Sequence, residues 1–587
     1  MRRDKVLMLM AALMLPATTA YARPTTFTVN LSQANEVPPT GSPATGSATV
    51  ILDPAANTLS LHVTFSGLTS NTVMAHIHCC LASSFLPGVN VGVATTVPAF
   101  PGFPLGVKSG TYDHVLDLTS ASSYNPAFVT AQGGSVAKAE AALISGIQNG
   151  ETYLNIHTTN FPGGEIRGFL VASPTSAQLS LLKTIPINGT AGNPSNKMFS
   201  FDISFVDPAT GLYYLADRSN AALDVIDTKT DTLFGQIGAN PGFQPGFAGD
   251  TGTSNTSGPN GVVAASPCIF ATDGPSRVVS FNSSVSFTTL VSSLNTGGSK
   301  RADELAFDPQ DGLLLVINNA DTPPFGTLIS VSSTCVLSNP KQVLFTTINA
   351  TNGAEQPVWN PGTHRFYVSI PEVNGPGDGT GPNGGVVQIN TSGVIDNFFP
   401  INFMQPAGLT LGPNGDLLVG ANSVFDTSGN KCSAVVPAPN PTTGTAAQNA
   451  PAHPATCTGI GAPQSAICNP GRGCTGNALV SIPGVGGGDE VWYNSGDGNY
   501  YVTAGNDPVG PVFGVVGSVV NTLTQLVPTL PPVPLLPGPV PGSVVHSAGT
   551  VHSIAASAAN NHVYVPLPAN TSYPNCAQGC IAVFGVP

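Results

Sequence analysis

The chain has 587 residues, and its 31 acidic and 18 basic residues give a formal net charge of −13 at pH 7. This balance offers no basic surface for phosphate backbones or anionic lipid, so nucleic acid is excluded as an expected partner. Charged residues make up only 8% of the chain, against 66 Gly and 54 Pro, which predicts an all-β protein of about two to four domains built from short strands and turns.

Residues 1–22 have the pattern of a signal peptide. A basic start at Arg2, Arg3 and Lys5 precedes an apolar run, and the small-residue sequence Ala20-Tyr21-Ala22 follows as a cleavage site. The apolar run is too short to cross a bilayer, and no later segment supplies the roughly 20 apolar residues that a membrane helix needs. The sequence therefore predicts a protein that is secreted or held in the periplasm or cell envelope, without a transmembrane segment.

Residues 24–172 alternate apolar and polar side chains in short runs such as SATVILD, TLSLHVTF and TYDHVLDL. This alternation between turns is typical of an antiparallel β-sandwich. The segment SVAKAEAALISGIQNG instead spaces its apolar residues as a helix does, which predicts a helix from about Val136 to Ile147 at one end of the sandwich.

Three stretches of this region resemble the CHRD domain, a module of chordin and of many exported bacterial proteins. They are LSQANEVPPTGSPATGSATVIL, MAHIHCC and NGETYLNIHTTNFPGGEIRGFL, in the order that the family has them. The chain departs from the family at Cys79 and Cys80, where a glycine usually follows the His-x-His. The resemblance implies a β-sandwich over residues 24–172 and no catalytic role.

Three histidines of this region form a candidate metal site. His76 and His78 lie two residues apart on a predicted strand, so their side chains leave the same face, and a later strand carries His157. Three neutral imidazoles would bind copper or zinc, and the pattern is similar to that of copper/zinc superoxide dismutase, with His114 as a further candidate ligand.

A structural role is the alternative interpretation of these histidines. They would then hydrogen-bond within the sandwich, while Glu36, Glu165 and Arg167 tie its strands together. Cys79 and Cys80 would form a disulfide or act as soft metal ligands. The metal hypothesis fails if the imidazoles of His76, His78 and His157 lie on opposite faces.

Residues 178–587 contain seven loose copies of one pattern, in which a short apolar strand is followed by a turn and further strands. Examples are ISFVDPATGLYYLADRSNAALDVID and LAFDPQDGLLLVINNADTPPFGTLISVS. Such repeats predict a β-propeller of six or seven blades. Two segments, 426–477 and 508–543, are predicted to be insertions, because the first is polar and the second is rich in proline.

The propeller region resembles exported NHL-type, YncE-like and SMP-30/gluconolactonase-like propellers. Aligned copies place five polar residues in one column, just before the first strand, where they would face the central channel: Asp202, Asp303, Glu355, Asp489 and His552. The resemblance to lactonase-like propellers implies a site for calcium or another divalent ion, with Asn318 and Asn319 as added ligands. The alternative is that polar residues cap turns and face channel water.

The chain has ten cysteines, which in an exported protein predict disulfides. A four-cysteine zinc site at Cys432, Cys457, Cys468 and Cys474 is the alternative, but the paired CxxC spacing of zinc ribbons is absent.

The sequence as a whole predicts a two-domain binding protein whose ligand is an extracellular protein or polysaccharide, and it identifies no catalytic or cofactor-binding residue. A metal-dependent hydrolase that uses the channel carboxylates and a copper- or zinc-binding sandwich are the alternatives. The hydrolase hypothesis fails if those carboxylates are scattered along the rim of the propeller.

Overall fold

A computed structural model describes residues 24–82, 88–173, 178–238, 246–426, 428–432, 464–475, 479–486, 488–505, 511–518, 521–529 and 552–587. The predicted signal peptide lies outside these ranges. Within them, no helix has both the length and the apolar character needed to cross a membrane.

The first region forms one antiparallel sheet of eight strands, in the order β4-β6-β7-β1-β2-β3-β5, with β8 paired to β1. The strands are β1 (Thr25–Ser32), β2 (Thr45–Asp53), β3 (Thr58–Ser66), β4 (Thr72–His78), β5 (Gly110–Asp117), β6 (Tyr153–Thr158), β7 (Ile166–Phe169) and β8 (Val171–Ala172). The sheet folds around a large apolar core, which confirms the predicted β-sandwich.

Two helices cover this core. The predicted helix is confirmed as α2 (Val136–Gln148), and its N-cap Ser135 accepts a hydrogen bond from the backbone of Lys138. Leu143 and Ile147 of α2 are buried in the core, as the helical spacing of its apolar residues requires. A second helix, α1 (Pro126–Ala131), was not predicted, because six residues are too few to establish a helical period.

Strands β4 and β6 are buried on both faces. Ala75 and Ile77 of β4 and Leu154 and Ile156 of β6 point into the core. The residues between them therefore point to the opposite face, and they are buried as well. That second, polar face carries the candidate metal site.

Gly168 of β7 packs too closely on β1 to allow a side chain. A Cβ atom there would lie 2.3 Å from the Asn30 carbonyl oxygen and 2.8 Å from Cγ1 of Val29. We expect Gly168→Ala to lower the free energy of unfolding of the sandwich by about 1–3 kcal/mol, because the two strands must separate. Gly163→Ala is the matched control, since a Cβ there meets no atom within 4 Å; equal denaturant midpoints for the two variants would contradict this prediction.

The second region forms seven four-stranded sheets, so the propeller has seven blades. The strands of blades one to four are β10 (Ser204–Asp207), β11 (Leu212–Asp217), β12 (Ala222–Asp227) and β13 (Thr232–Ile237); β14 (Val262–Ala265), β15 (Cys268–Asp273), β16 (Arg277–Asn282) and β17 (Ser286–Asn295); β18 (Leu305–Asp308), β19 (Leu313–Asn318), β20 (Phe325–Val331) and β21 (Leu337–Leu344); and β22 (Pro357–Asn360), β23 (Arg365–Ile370), β24 (Asn383–Asn390) and β25 (Ile395–Asn402).

Blades five to seven complete the ring. Their strands are β26 (Met404–Leu411), β27 (Leu417–Val424), β28 (Gln464–Cys468) and β29 (Leu479–Pro483); β30 (Val491–Asn494), β31 (Asn499–Ala504), β32 (Val512–Gly517) and β33 (Thr522–Pro528); and β34 (Ala555–Ser557), β35 (His562–Leu567), β36 (Cys580–Gly585) and β9 (Ser180–Pro186). Blade seven thus combines the last three strands of the chain with β9, the first strand of the region, which pairs with β36 from Cys580↔Pro186 to Gly585↔Ser180. This pairing closes the propeller and leaves no open sheet between its first and last blades.

The two predicted insertions are shorter than expected. Strand β28 lies within the segment 426–477 and belongs to blade five, while β32 and β33 lie within 508–543 and belong to blade six. The apolar sequence VFGVVG pairs with β31, and the neighbouring prolines obscure this signal in the sequence. Most of the proline-rich sequence, from residue 530 onward, lies outside the described residues.

Four disulfides join cysteines of the described residues. Cys268–Cys335 links blade two to blade three across 67 residues, and the others are local: Cys79–Cys80, Cys468–Cys474 and Cys576–Cys580. These pairs agree with the predicted use of cysteine as structural links and leave Cys468 and Cys474 without thiolates for zinc.

Candidate functional site

The three predicted histidines come together on the polar face of β4 and β6. His76 lies opposite Asn155, His78 lies opposite Tyr153, and His157 lies opposite Met74. The ring of His76 is 4.8 Å from that of His78 and 4.6 Å from that of His157, measured between centroids. The imidazoles therefore share one face of the sandwich, and all three residues are buried.

Hydrogen bonds to backbone carbonyls orient two of the rings. Nδ1 of His78 lies 2.7 Å from the Val91 carbonyl oxygen, and Nδ1 of His157 lies 3.0 Å from that of Pro162. Because each Nδ1 must donate its proton there, Nε2 of both rings keeps a free lone pair. Nε2 of His78, Nε2 of His157 and Nδ1 of His76 are buried without a hydrogen-bond partner.

The environment keeps these imidazoles neutral. Burial, together with His157 and His78, lowers the pKa of His76 to about 2. Burial also lowers the pKa of His78, to about 4, and that of His157. Neutral imidazoles are the form that binds metal ions.

The ligand atoms are close enough to share one ion. One nitrogen of each histidine lies within 4.8 Å of the others, and no other group of three or more His, Cys, Asp or Glu among the described residues meets this condition. Two nitrogens bound to one zinc ion at about 2.0–2.1 Å lie about 3.4 Å apart in tetrahedral geometry and about 4.1 Å apart when opposite each other. The rings therefore need to approach one another by about 1 Å to bind.

A second cluster of buried polar residues, which contains Glu36, Tyr153 and Arg167, borders the histidines. The sequence predicted Glu36 and Arg167 only as ties between strands. The Arg167 guanidinium lies 4.4 Å above the ring of Tyr153, and Tyr153 stacks on His78 with 4.6 Å between ring centroids. Burial raises the pKa of Glu36 to about 7, although Arg167 and Asn155 act to lower it. The clue in the sequence was Arg167 within GGEIRGFL, a charged residue at a position whose neighbours belong to the core.

Three other predicted ligands lie elsewhere. The sulfur atoms of Cys79 and Cys80 are 3.9 and 3.7 Å from the Ala142 carbonyl oxygen of α2, and they form a disulfide with each other. His114 lies on β5, at the edge of the sheet opposite β4. Neither the two cysteines nor His114 belongs to the histidine group.

Glu165 has a structural position. Its carboxylate accepts hydrogen bonds from Ser42, Thr158 and the backbone of Thr69 at 2.5–2.7 Å. It joins the loop before β2 to the end of β6.

The predicted column of the propeller also comes together, at the amino-terminal ends of the inner strands. Nε2 of His552 lies 3.6 Å from Oδ1 of Asp202. Burial and the charges of Asp489 and Asp303 raise the pKa of Glu355 to about 8. The pKa of Asp489 is raised as well, because burial and Asp202 raise it while His552 lowers it. The carboxylates of the column therefore act on one another electrostatically, but their oxygen atoms do not form a close group of the kind that the three histidines form.

Two arginines that the sequence did not indicate lie among these carboxylates. Arg218 bonds to Asp202 through Nη2, and Nη2 of Arg301 lies 2.7 Å from Oδ2 of Asp303. Burial alone would raise the pKa of Asp202, but Arg218, His552 and Arg301 bring it down to about 2. The column is thus partly neutralised by side chains of the protein, which makes it a poorer site for a divalent ion than a ring of carboxylates alone.

The suggested asparagine ligands have other contacts. Asn318 donates from Nδ2 to Ser276 at 3.0 Å and accepts from Thr296 at 2.8 Å, while Nδ2 of Asn319 lies 3.5 Å from Oε2 of Glu355. Of the two asparagines, therefore, only Asn319 contacts a carboxylate of the column with its side chain.

Comparisons with known proteins agree with this division of the chain. Residues 27–170 match the family model of the CHRD domain. No curated protein sequence matches the chain.

Solved structures include proteins of similar shape. Hydrazine synthase of Kuenenia stuttgartiensis is 10% identical with a TM-score of 0.42, over 64% of this chain and 96% of that one. The β-propeller domain of Cps50 (Swd1) from Myceliophteria thermophila is 8% identical with a TM-score of 0.40, over 70% of this chain and 100% of that one. Likenesses at this level say nothing of substrate or partner, and the propeller subtype stays a prediction. The chain carries a CHRD domain, which is a β-sandwich, ahead of a seven-bladed β-propeller.

Proposed function

We propose that the protein is an exported two-domain binding protein whose CHRD domain holds one copper or zinc ion on His76, His78 and His157. The observation that carries the proposal is the convergence of three buried, unpartnered imidazole nitrogens on one face of the sandwich. A buried nitrogen without a partner costs free energy, and a bound ion would satisfy all three at once.

The chemistry of the ligands selects the metal. Neutral imidazole suits copper and zinc, whereas calcium and magnesium prefer oxygen ligands. The carbonyl oxygens of Val91 and Pro162 act as outer partners that fix two of the rings. Three protein ligands leave one coordination position of the metal free, so an external molecule can bind to the metal there.

The domain pair supports an interaction role. A CHRD domain joined to a β-propeller fits a protein that binds other molecules, and we propose an extracellular protein or a polysaccharide as the partner. No base and nucleophile pair is assembled among the described residues of the channel column, where arginines bind two of the carboxylates, so lactone hydrolysis gains no support.

Metal analysis of the mature protein tests the proposal. We expect elemental mass spectrometry to find about one copper or zinc ion per chain after loading and desalting, and to find none in His76→Ala/His78→Ala, which loses two of the three ligands. The copper-loaded protein should also give an electron paramagnetic resonance spectrum with nitrogen ligands.

The control is His62→Ala/His114→Ala, which removes two histidines of the same domain that lie outside the group. It should retain the metal of the wild type. A metal-free wild type after loading, or equal metal in both double variants, would show that the three histidines are structural.

A further inference from the structure

The inner strands of all seven blades surround a cavity of about 550 Å³. Five aromatic residues line it: Phe205, Phe307, Trp359, Trp492 and Tyr493. Phe205 and Trp492 meet edge to face, with 5.4 Å between ring centroids. A cavity of this size and character suits a small organic molecule with an apolar body.

The charges of the cavity have one sign. Among the described residues that line it, four are acidic and none is basic: Glu151, Asp207, Glu304 and Glu490. Glu151 comes from the CHRD domain, which also contributes Ala82 and Asn149 to the lining. Burial raises the pKa of Glu151 to about 7 and that of Glu490 to about 8, because desolvation disfavours the charged carboxylate.

Two buried polar atoms at the cavity have no partner in the protein. Oε2 of Glu304 accepts no hydrogen bond, and the residue is almost fully buried, with 4% of its surface exposed. The indole nitrogen of Trp359 donates none, and that residue is 8% exposed. Glu490 differs, because its Oε2 accepts from Ser553 and from the backbone of Ile554. Oε2 of Glu304 is therefore the carboxylate oxygen of this lining that lacks a hydrogen-bond partner.

We propose that this cavity binds a small organic cation, an amine or quaternary ammonium with an apolar body, whose charged nitrogen lies against Glu304 and the aromatic rings. Carboxylates and aromatic faces together are the usual surroundings of such cations. The site is separate from the histidine site and does not depend on a metal there.

The chain offers its own reporters of binding. It has two tryptophans in all, Trp359 and Trp492, and both line the cavity. The probe is benzyltrimethylammonium, titrated into the full mature chain while tryptophan emission is recorded. We expect a saturable change, and about tenfold or weaker binding by N-benzylacetamide, a neutral molecule with the same number of non-hydrogen atoms.

Burial and the charges of neighbouring carboxylates raise the pKa of Glu304 well above its usual value. A bound cation holds this carboxyl in its charged form, which glutamine cannot take, so Glu304→Gln should weaken binding of the cation about tenfold or more while keeping the shape. Asp311→Asn, an exposed acid in the next turn of the same blade, should leave the titration unchanged. Circular dichroism checks that each variant is folded.

The proposal is overturned by the absence of a saturable change in the wild type, by equal binding of the neutral molecule, or by unchanged affinity in folded Glu304→Gln. The comparison of the two probes uses wild-type protein, so it decides the question even if Glu304→Gln does not fold.

Discussion

Arg218→Met is expected to lower the free energy of unfolding of the propeller by about 3–5 kcal/mol, because it leaves a buried carboxylate without the cation that is hydrogen-bonded to it. Arg218 directly follows β11 and is 6% exposed. It bonds to Asp202 through Nη2 and donates from Nε to Oδ1 of Asn260 at 2.8 Å. Methionine preserves much of the side-chain volume but supplies neither the charge nor the hydrogen bonds.

The effect should depend on pH. The folded pKa of Asp202 is lowered from 3.8 to about 2, so the unfolded chain binds more protons between these values. The pairing therefore contributes its full stability above about pH 4 and loses it as the pH falls through about 2. The deficit of Arg218→Met, measured by chemical denaturation from pH 3 to pH 7, should shrink towards the acid end.

A surface pair gives the matched control. Arg365 pairs with Asp396, and their side chains are 32% and 27% exposed, so Arg365→Met should cost less than about 1 kcal/mol. The double variant Arg218→Met/Asp202→Asn should be more stable than Arg218→Met alone, because the unpaired charge is gone. If Arg218→Met costs no more than Arg365→Met, the buried pair does not stabilise the propeller as described.

The sequence predicted those parts of the structure that have a local pattern. The helical spacing of apolar residues such as Leu143 and Ile147 predicted α2, and the alignment of repeats predicted the column that contains Asp202 and Asp303. The two-residue spacing of His76 and His78 placed both on one face.

What the sequence left out depends on contacts between distant segments. The position of His157 opposite Met74 is set by the register of β6 on β4, which no local pattern encodes. Strand β9 closes blade seven from the far end of the region. The alignment of repeats did not include Arg218, because this residue follows the second strand of its blade, whereas the column residues precede the first strand of each blade.

Buried charge was the hardest feature to predict. Arginine and glutamate are usually exposed, and the sequence predicted Arg167 and Glu36 only as ties between strands. Both are buried, and Glu304 lines a cavity. In each case the position follows from packing around the side chain, which requires the assembled fold.

Arg167→Met is expected to destabilise the CHRD domain by about 3–5 kcal/mol, since Arg167 is fully buried and central to its polar layer. Its Nε donates to the Asn35 carbonyl oxygen, and Nη1 donates to the Val89 carbonyl oxygen at 3.2 Å and to Oδ1 of Asn90 at 2.8 Å. Arg167→Lys keeps the charge but cannot reach these acceptors together, so it should recover only part of the loss.

Glu36 determines how the destabilisation by Arg167→Met changes with pH. Burial raises the folded pKa of Glu36 from 4.5 to about 7 against the pull of Arg167, so the folded domain binds more protons than the unfolded chain between these values. Stability from this group is therefore present below about pH 4.5 and is lost as the pH rises through about 7. Without Arg167 the pKa rises further, and the deficit of Arg167→Met should grow with pH over this range.

Denaturant unfolding at several pH values, followed by circular dichroism, measures both effects. Arg167→Met/Glu36→Gln should be more stable than Arg167→Met alone at neutral pH and should lose the added pH dependence, because the carboxyl that titrates is gone. A deficit that is the same at every pH, or a double variant no more stable than the single one, would mean that Arg167 stabilises the domain through packing on Tyr153 and its backbone hydrogen bonds alone.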